Sequence, residues 1–172
     1  MKSNNEKKLE GIPDASMSLS PQFREDISSL FEKSQGDISW KLQNFTNYVP
    51  RQALSRFLCR EEMFRKVLHI QGSIIECGVL GGWGLTSWMH LSSIFEPLNT
   101  TRRIIGFDSF EGFPSISNKD SATGTSQYMS KGDLTCDSME EIKKATEIHN
   151  NNTIFKSPEK VILVKGDACN TI

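Results

Sequence analysis

The sequence lacks any apolar run close to the roughly 18 residues of a membrane span, and residues 1–10 are polar, without the apolar core of a secretion signal. It also lacks an excess of charge, because 20 basic residues balance 21 acidic residues to a net charge of -1. This balance removes the general attraction on which most proteins that bind nucleic acids or anionic membranes rely. We therefore expect a cytoplasmic protein with neither a nucleic-acid nor a membrane partner.

Cysteine pairs are missing as well. The four cysteines, Cys59, Cys77, Cys136 and Cys169, lie far apart and form no C-x-x-C motif. This spacing favours reduced thiols over a disulfide framework or a structural zinc site. We interpret the cysteines as packing residues of a single domain, which is the size that 172 residues indicate.

The first part of the chain predicts a tail and two helices. Residues 1–20 are rich in Ser, Asn, Lys and Glu and predict a disordered tail. Pro21 begins a short helical pattern, and a stronger pattern runs from Pro50 to about His69. The basic residues of this second helix form no continuous face, which favours solvated or ion-paired side chains over a nucleic-acid site. We assign residues 21–70 to an N-terminal helical cap.

From residue 71 onward, strands alternate with helices. The predicted strands are 73–77, 103–107 and 160–164, with helices at 85–95 and 137–149 between them. The second helix starts at Asp137-Ser138-Met139-Glu140, which resembles a capping box, and residues 111–136 before it predict a long functional loop. Alternation of this kind predicts an α/β fold with a parallel sheet, whose ligands bind at the carboxyl ends of the strands.

A glycine-rich turn follows the first strand, with the sequence Glu76-Cys77-Gly78-Val79-Leu80-Gly81-Gly82-Trp83-Gly84. The dinucleotide fingerprint G-x-G-x-x-G does not fit, because it would require glycine at Leu80 and Trp83. A P-loop does not fit either, since Gly-Lys-Ser/Thr is missing from this turn. The turn is similar to the acidic-x-G-x-G-x-G pattern of class I methyltransferases, with Leu80 in place of the middle glycine.

The ends of the next two strands carry acidic residues. Asp108 ends the second strand, where a carboxylate can accept hydrogen bonds from both ribose hydroxyls. Gly166-Asp167-Ala168 follows the third strand, where an acceptor can receive the adenine amino group. The structural alternatives are a tight turn for the glycines and a helix cap for either aspartate. Taken together, the three strand ends predict a site for S-adenosylmethionine (SAM).

Several segments resemble the macrocin O-methyltransferase family. They are residues 72–79, Gly81-Gly82, the run Gly106-Phe107-Asp108-Ser109-Phe110-Glu111-Gly112-Phe113-Pro114, and Val164-Lys165-Gly166-Asp167 with Thr171. The resemblance covers about residues 46–172 and implies SAM-dependent methyl transfer to a hydroxyl, commonly on a sugar, assisted by a divalent metal, usually Mg²⁺. It implies a small-molecule partner, a sugar acceptor. The expected cofactor-binding residues are Glu76, Gly78, Val79, Gly81, Gly82, Asp108, Ser109, Phe110, Gly166, Asp167 and Ala168.

Members of that family continue into a fourth strand with metal ligands and catalytic residues, whereas this sequence stops at Ile172. We therefore expect residues 71–172 to form an incomplete SAM-binding domain, the N-terminal half of a doubly wound, Rossmann-like sheet. The catalytic and metal-binding residues stay unassigned. An exposed edge and face of such a sheet favour self-association. Two alternatives stay open, a non-catalytic SAM-binding module and an NAD-binding Rossmann-like module.

Overall fold

The computed structural model describes residues 20–117, 130–153 and 159–172. The predicted tail lies outside the described residues except for Ser20, as does part of the predicted loop, residues 118–129. The elements in chain order are α1 (Pro21–Lys33), α2 (Ile38–Gln43), a 3-10 turn (Phe45–Asn47), α3 (Arg51–Val67), β1 (Ile74–Cys77), α4 (Trp83–Phe95), β2 (Ile104–Asp108), α5 (Met139–Asn151), β3 (Val161–Lys165) and α6 (Ala168–Thr171).

The three strands form one parallel sheet in the order β1-β2-β3. Ile74 lies opposite Ile104, and Ile104 lies opposite Val161, so the amino ends of all three strands are level. The carboxyl ends are therefore also level, and the polar turns after β1, β2 and β3 meet along one edge. The predicted parallel α/β arrangement is confirmed.

Capping side chains explain where the first helices begin. The Ser20 hydroxyl accepts a hydrogen bond from the Phe23 amide at 3.2 Å, and Pro21 takes the first helical position. Asp37 caps α2 in the same manner through the Trp40 amide at 2.8 Å. At the predicted capping box, Asp137 to Glu140, α5 begins at Met139 with Ser138 as its N-cap, and the Ser138 hydroxyl donates to the Leu80 carbonyl rather than accepting an amide of α5.

The core lies on one face of the sheet, under α4 and α5. Its fully buried members include Leu85 and Met89 from α4, Ile104 from β2 and Ile142 from α5. Burying each such side chain contributes roughly 1.5–3 kcal/mol. The opposite face is less covered, since the β1 residue Ile75 is 55% exposed.

A buried arginine before β2, Arg102, joins the amino end of the sheet to the ends of α3 and α4. Arg102 is 4% exposed, and its Nε donates to Glu96 Oε1 at 2.7 Å. Its terminal nitrogens donate to the carbonyls of Val67, Ile70 and Gly72. Burial raises the pKa of Glu96, but hydrogen bonds from Arg102, Ser92 and Asn99 outweigh it, so the net pKa shift is downward. Arg102 thus fixes the end of α3 against the start of β2.

The structure shows the surroundings of the cysteines and of the basic residues of α3. The interpretation of the cysteines as packing residues is wrong for Cys59, Cys77 and Cys169, which are exposed, and fits only the buried Cys136. The exposed basic residues Arg65 and Lys66 form ion pairs within α3, with Glu61 and Glu62.

Among the residues that the structure describes, no helix has the length and apolar character needed to cross a membrane.

Candidate functional site

A cavity of about 360 Å³ lies at the carboxyl ends of the three strands. Its volume is at the lower end of the range of small-molecule sites, ~300–1,000 Å³. All three post-strand turns contribute to its wall, together with a segment that precedes α5. The lining residues are Gly78, Leu80, Phe107, Asp108, Ser109, Gly112, Phe113, Pro114, Leu134, Gly166, Asp167 and Ala168.

The turn after β1 needs an unusual backbone at several positions. Gly78 has φ +82°, and a Cβ added there would meet no atom within 4 Å, so its side of the cavity is open. Gly82 has φ +81° and is the N-cap of α4. Leu80, which replaces the middle glycine of the sequence pattern, has φ +51°. A leucine in this left-handed region costs about 1–2 kcal/mol, so the surrounding contacts must hold it there.

Asp108 provides those contacts. Its Oδ2 accepts hydrogen bonds from the amides of Val79 and Leu80, at 2.7 and 2.8 Å, and its Oδ1 accepts one from the Phe110 amide at 2.7 Å. A carboxylate oxygen has two lone pairs, so Oδ2 is fully used and Oδ1 can accept one more bond. In this geometry Asp108 can accept one ribose hydroxyl, not the two that the sequence suggested.

The turn after β2 forms a second wall. The Ser109 hydroxyl donates to the Gly112 carbonyl at 2.8 Å, and Phe110 has φ +57°. The next segment is held by two backbone bonds, from the Phe113 amide to the Asp133 carbonyl and from the Gly132 amide to the Phe113 carbonyl. These contacts bring residues 112–114 and 132–134 together beside the sheet.

Backbone strain is concentrated around this cavity. In the described part of the chain, the non-glycine residues with positive φ are Leu80, Phe110 and Leu134. Leu80 and Leu134 line the cavity, and the Phe110 amide binds the carboxylate of a lining residue, Asp108. Strained backbone of this kind clusters at functional sites.

At the end of β3, Asp167 caps a short helix. Its Oδ1 accepts the Cys169 amide at 2.9 Å, so Asp167 is a helix cap, as the structural alternative for this residue predicts. The Gly166 amide donates to the Asp108 carbonyl at 2.9 Å, which joins the second and third turns. Asp167 and Ala168 still border the cavity, and a capping carboxylate retains lone pairs for a further donor.

Glu76 lies beneath the turn rather than in the cavity. Its Oε2 accepts a hydrogen bond from Trp88 Nε1 at 2.8 Å, and its side chain is half-buried against α4. Burial raises the pKa of Glu76, while the nearby charge of Arg60 and the Trp88 bond oppose that rise. Glu76 therefore supports the turn from the α4 side.

The structure places the eleven predicted residues in two groups. Six line the cavity: Gly78, Asp108, Ser109, Gly166, Asp167 and Ala168. Five do not, namely Glu76, Val79, Gly81, Gly82 and Phe110, and of these Val79 and Phe110 belong to the buried core. Four further lining residues were not predicted, although they belong to the motif run Gly106 to Pro114: Phe107, Gly112, Phe113 and Pro114. Leu134 was not predicted either, because its positive φ gives no signal in the sequence, whereas Leu80 stands at a glycine position of the class I methyltransferase pattern.

The histidine and acidic side chains of the described residues form no cluster that could bind a metal ion. Within residues 20–117, 130–153 and 159–172, no three His, Cys, Asp or Glu side chains form a group that could hold a metal ion. His90 and His149 contact each other, with ring centres 4.5 Å apart, but they lack a third such partner in this part of the chain. The described residues thus offer no donor set for the Mg²⁺ that the sequence resemblance implies.

No protein-family model matches this sequence, and no curated protein sequence matches it. Solved structures that are similar to the chain include two of the same enzyme, CalS11. One, CalS11, a calicheamicin methyltransferase, is 27% identical over 88% of this chain and 60% of its own, with a TM-score of 0.80. The other, apo CalS11, described as a TDP-rhamnose 3'-O-methyltransferase of calicheamicin biosynthesis, is 26% identical over 86% of this chain and 57% of its own, with a TM-score of 0.65.

These neighbours support a methyltransferase relationship, without singling out the macrocin O-methyltransferase family. The chain spans about 60% of the length of the first of these structures. Their likeness agrees with the parallel sheet, the α4 and α5 crossovers and the cavity at the strand ends. The chain therefore has the α/β, Rossmann-like fold of class I methyltransferases.

Proposed function

We propose that this chain binds SAM at the carboxyl edge of its sheet, for methyl transfer to a hydroxyl of a sugar or glycosylated metabolite. The observation that carries the proposal is the cavity of about 360 Å³ that joins the ends of all three strands. Ligands of open α/β sheets bind at this position. The similarity to CalS11, a sugar O-methyltransferase, supports the same class of reaction.

Each turn has a part in the proposed site. Gly78 and Leu80 would lie along the methionine moiety, where the glycine leaves space for close approach of the backbone. Asp108 would accept one ribose hydroxyl through the remaining lone pair of Oδ1. Asp167 and Ala168 would lie beside the adenine, and Phe113 and Leu134 would give the site an apolar wall.

Bound SAM supplies an electrophilic methyl group on a sulfonium sulphur, which a hydroxyl oxygen attacks as the thioether leaves and the hydroxyl proton passes to a base. In this scheme, the described residues bind and orient SAM. The resemblance suggests Mg²⁺ as an aid to that proton loss, but no acidic cluster in the described ranges fits the ion.

A thermal-shift experiment on the full-length protein tests the proposal. SAM at about a hundredfold excess over its Kd should stabilise the protein by about 2.7 kcal/mol, and NAD should give no comparable shift. Gly78→Ala should lower the stability by about 1 kcal/mol, because alanine is strained at φ +82°, and it should reduce the SAM shift far more.

Gly72→Ala is the matched control. Gly72 also has a positive φ, +132°, with no atom within 4 Å of an added Cβ, but it precedes β1 at the other end of the sheet. It should carry a similar strain while keeping the SAM shift. A larger shift with NAD than with SAM, or a SAM shift that survives Gly78→Ala, would contradict the proposed site.

A further inference from the structure

Arg60 of α3 contacts the beginning of α4. Its guanidinium carbon lies 4.0 Å from the ring centre of Trp83 and 5.7 Å from that of Trp88. Trp83 is the first residue of α4 and directly follows Gly82. A guanidinium over an indole face is a favourable cation–π contact. Arg60 therefore holds Trp83, near the end of the glycine-rich turn.

The same guanidinium approaches the residue with which the turn begins. Glu76 precedes Gly78 by two positions, and the positive charge of Arg60 favours its ionised form. Glu76 and Arg60 both lie close to Gly84. A Cβ added at Gly84 would lie 2.2 Å from Glu76 Oε1 and 2.9 Å from Arg60 Nη2. Trp88 completes the group by donating its indole N–H to Glu76.

We propose that Arg60 is a positioning residue for the cofactor cavity, because it fixes Glu76 and Trp83, which lie near the two ends of the glycine-rich turn, relative to each other. This inference rests on the function proposed above. Arg60 does not line the cavity, whereas Gly78 and Leu80, inside the turn, do. A change in the distance between Glu76 and Trp83 would move the backbone atoms of Gly78 and Leu80 relative to a bound ligand. Helix α3 would in this way contribute to cofactor affinity without touching the cofactor.

The charge of Glu76 gives this role a pH signature. Burial raises the pKa of Glu76, and Arg60 opposes that rise. When Glu76 is protonated at low pH, its attraction to Arg60 is lost, and SAM affinity should fall. Without Arg60 this attraction is missing at every pH. The acid-side fall in affinity should therefore be smaller in an Arg60 variant than in the wild type, which a merely structural role would not produce.

The experiment measures the Kd for SAM by titration calorimetry across pH in the full-length protein. Arg60→Gln should weaken binding about tenfold near neutral pH, as a displacement of binding atoms by a fraction of an ångström would cause. Arg60→Lys keeps the charge but loses the planar stacking, so it should give an intermediate Kd. If Arg60→Gln does not fold, Arg60→Lys alone tests the proposal.

Arg65→Gln is the control on the same helix. Arg65 makes the same kind of contact, with its guanidinium carbon 4.3 Å from the ring centre of Phe95, but at the far end of α4 from the turn. Its Kd should stay within about twofold of the wild type. Unchanged SAM affinity in both Arg60 variants, or an equal loss in Arg65→Gln, would overturn the assignment of Arg60. A wild type that does not bind SAM would overturn the proposed function and this assignment together.

Discussion

Leu80 shows how a single residue can depart from a motif and still keep its geometry. The sequence pattern has glycine at this position, and the structure has the left-handed φ that explains the preference. Three polar contacts hold the leucine there: its amide donates to Asp108, its carbonyl accepts from Ser138, and the neighbouring Val79 amide also donates to Asp108. The departure changes the residue but not the course of the turn.

The carboxylate of Asp108 can be tested by an isosteric change. Asp108→Asn keeps the size of the side chain, but its amide nitrogen cannot accept a hydrogen bond, so at least one of three backbone amides loses its partner. We expect the free energy of unfolding to fall by about 1–3 kcal/mol and SAM affinity to fall at least tenfold. Urea unfolding and calorimetry measure the two effects. Wild-type stability in this variant would contradict the role of Asp108 in holding the turn.

Two neighbouring glycines should respond very differently to alanine. At Gly84 the added methyl group would overlap Glu76 and crowd Arg60, both of which are held by other contacts. At Gly81 it would meet no atom within 4 Å, and φ is not positive there. Overpacking costs about 1–3 kcal/mol, so Gly84→Ala should lower the thermal midpoint by several degrees, while Gly81→Ala should leave it nearly unchanged. Similar midpoints for the two variants would show that Glu76 adapts freely.

The sequence was sufficient to place Asp108 near the glycine-rich turn, because parallel strands align their carboxyl ends. It could not reveal that three backbone amides already occupy most of the carboxylate, since two of the three come from a turn 28 and 29 residues away. For the same reason Phe110 looked like a site residue beside Asp108, whereas its side chain belongs to the core.

At the scale of elements, helical periodicity and short apolar runs located α1, α3, α4, α5 and all three strands. Helical periodicity did not reveal α2, because this helix has only six residues and exposes Ile38, Trp40 and Leu42, so no buried face sets a period. It missed α6 because four residues are too few for any periodic signal. These two short helices depend on single capping aspartates, Asp37 and Asp167.

The packing of α4 against α5 should be sensitive to acid through His90. Burial, followed by the nearby His149, lowers the pKa of His90 below its usual 6.5. The unfolded chain then binds a proton at a higher pH than the folded chain does. Stability should therefore fall as the pH drops below about 6.5 and level off below the folded pKa.

Urea unfolding from about pH 7.5 to about pH 5.5 would measure this dependence. His90→Gln cannot be protonated, so it should show a smaller loss of unfolding free energy over the same range. His69→Gln, at an exposed position at the end of α3, should behave like the wild type. An equal acid dependence in the wild type and His90→Gln would assign the effect to other groups.

At the scale of the whole molecule, the two faces of the sheet differ. One face packs under α4 and α5, and the other presents Ile75 and Cys77 of β1, which are exposed. Parallel sheets are normally covered on both faces, because their strands are apolar on both sides. In the described sheet β1 is also an edge strand, with β2 as its neighbour. An exposed apolar face beside an unpaired edge favours association between chains.

We therefore expect the 172-residue chain alone to self-associate through this face as its concentration rises. Ile75→Lys places a charge on the edge strand, which should shift sedimentation-velocity profiles towards the monomer without changing the melting temperature, since Ile75 is 55% exposed. Ile94→Lys is the matched control, because Ile94 is similarly exposed, at 62%, but lies on α4 away from the open face. A wild-type chain that stays monomeric at all concentrations, or an equal effect of the two lysines, would show that the open face does not drive association.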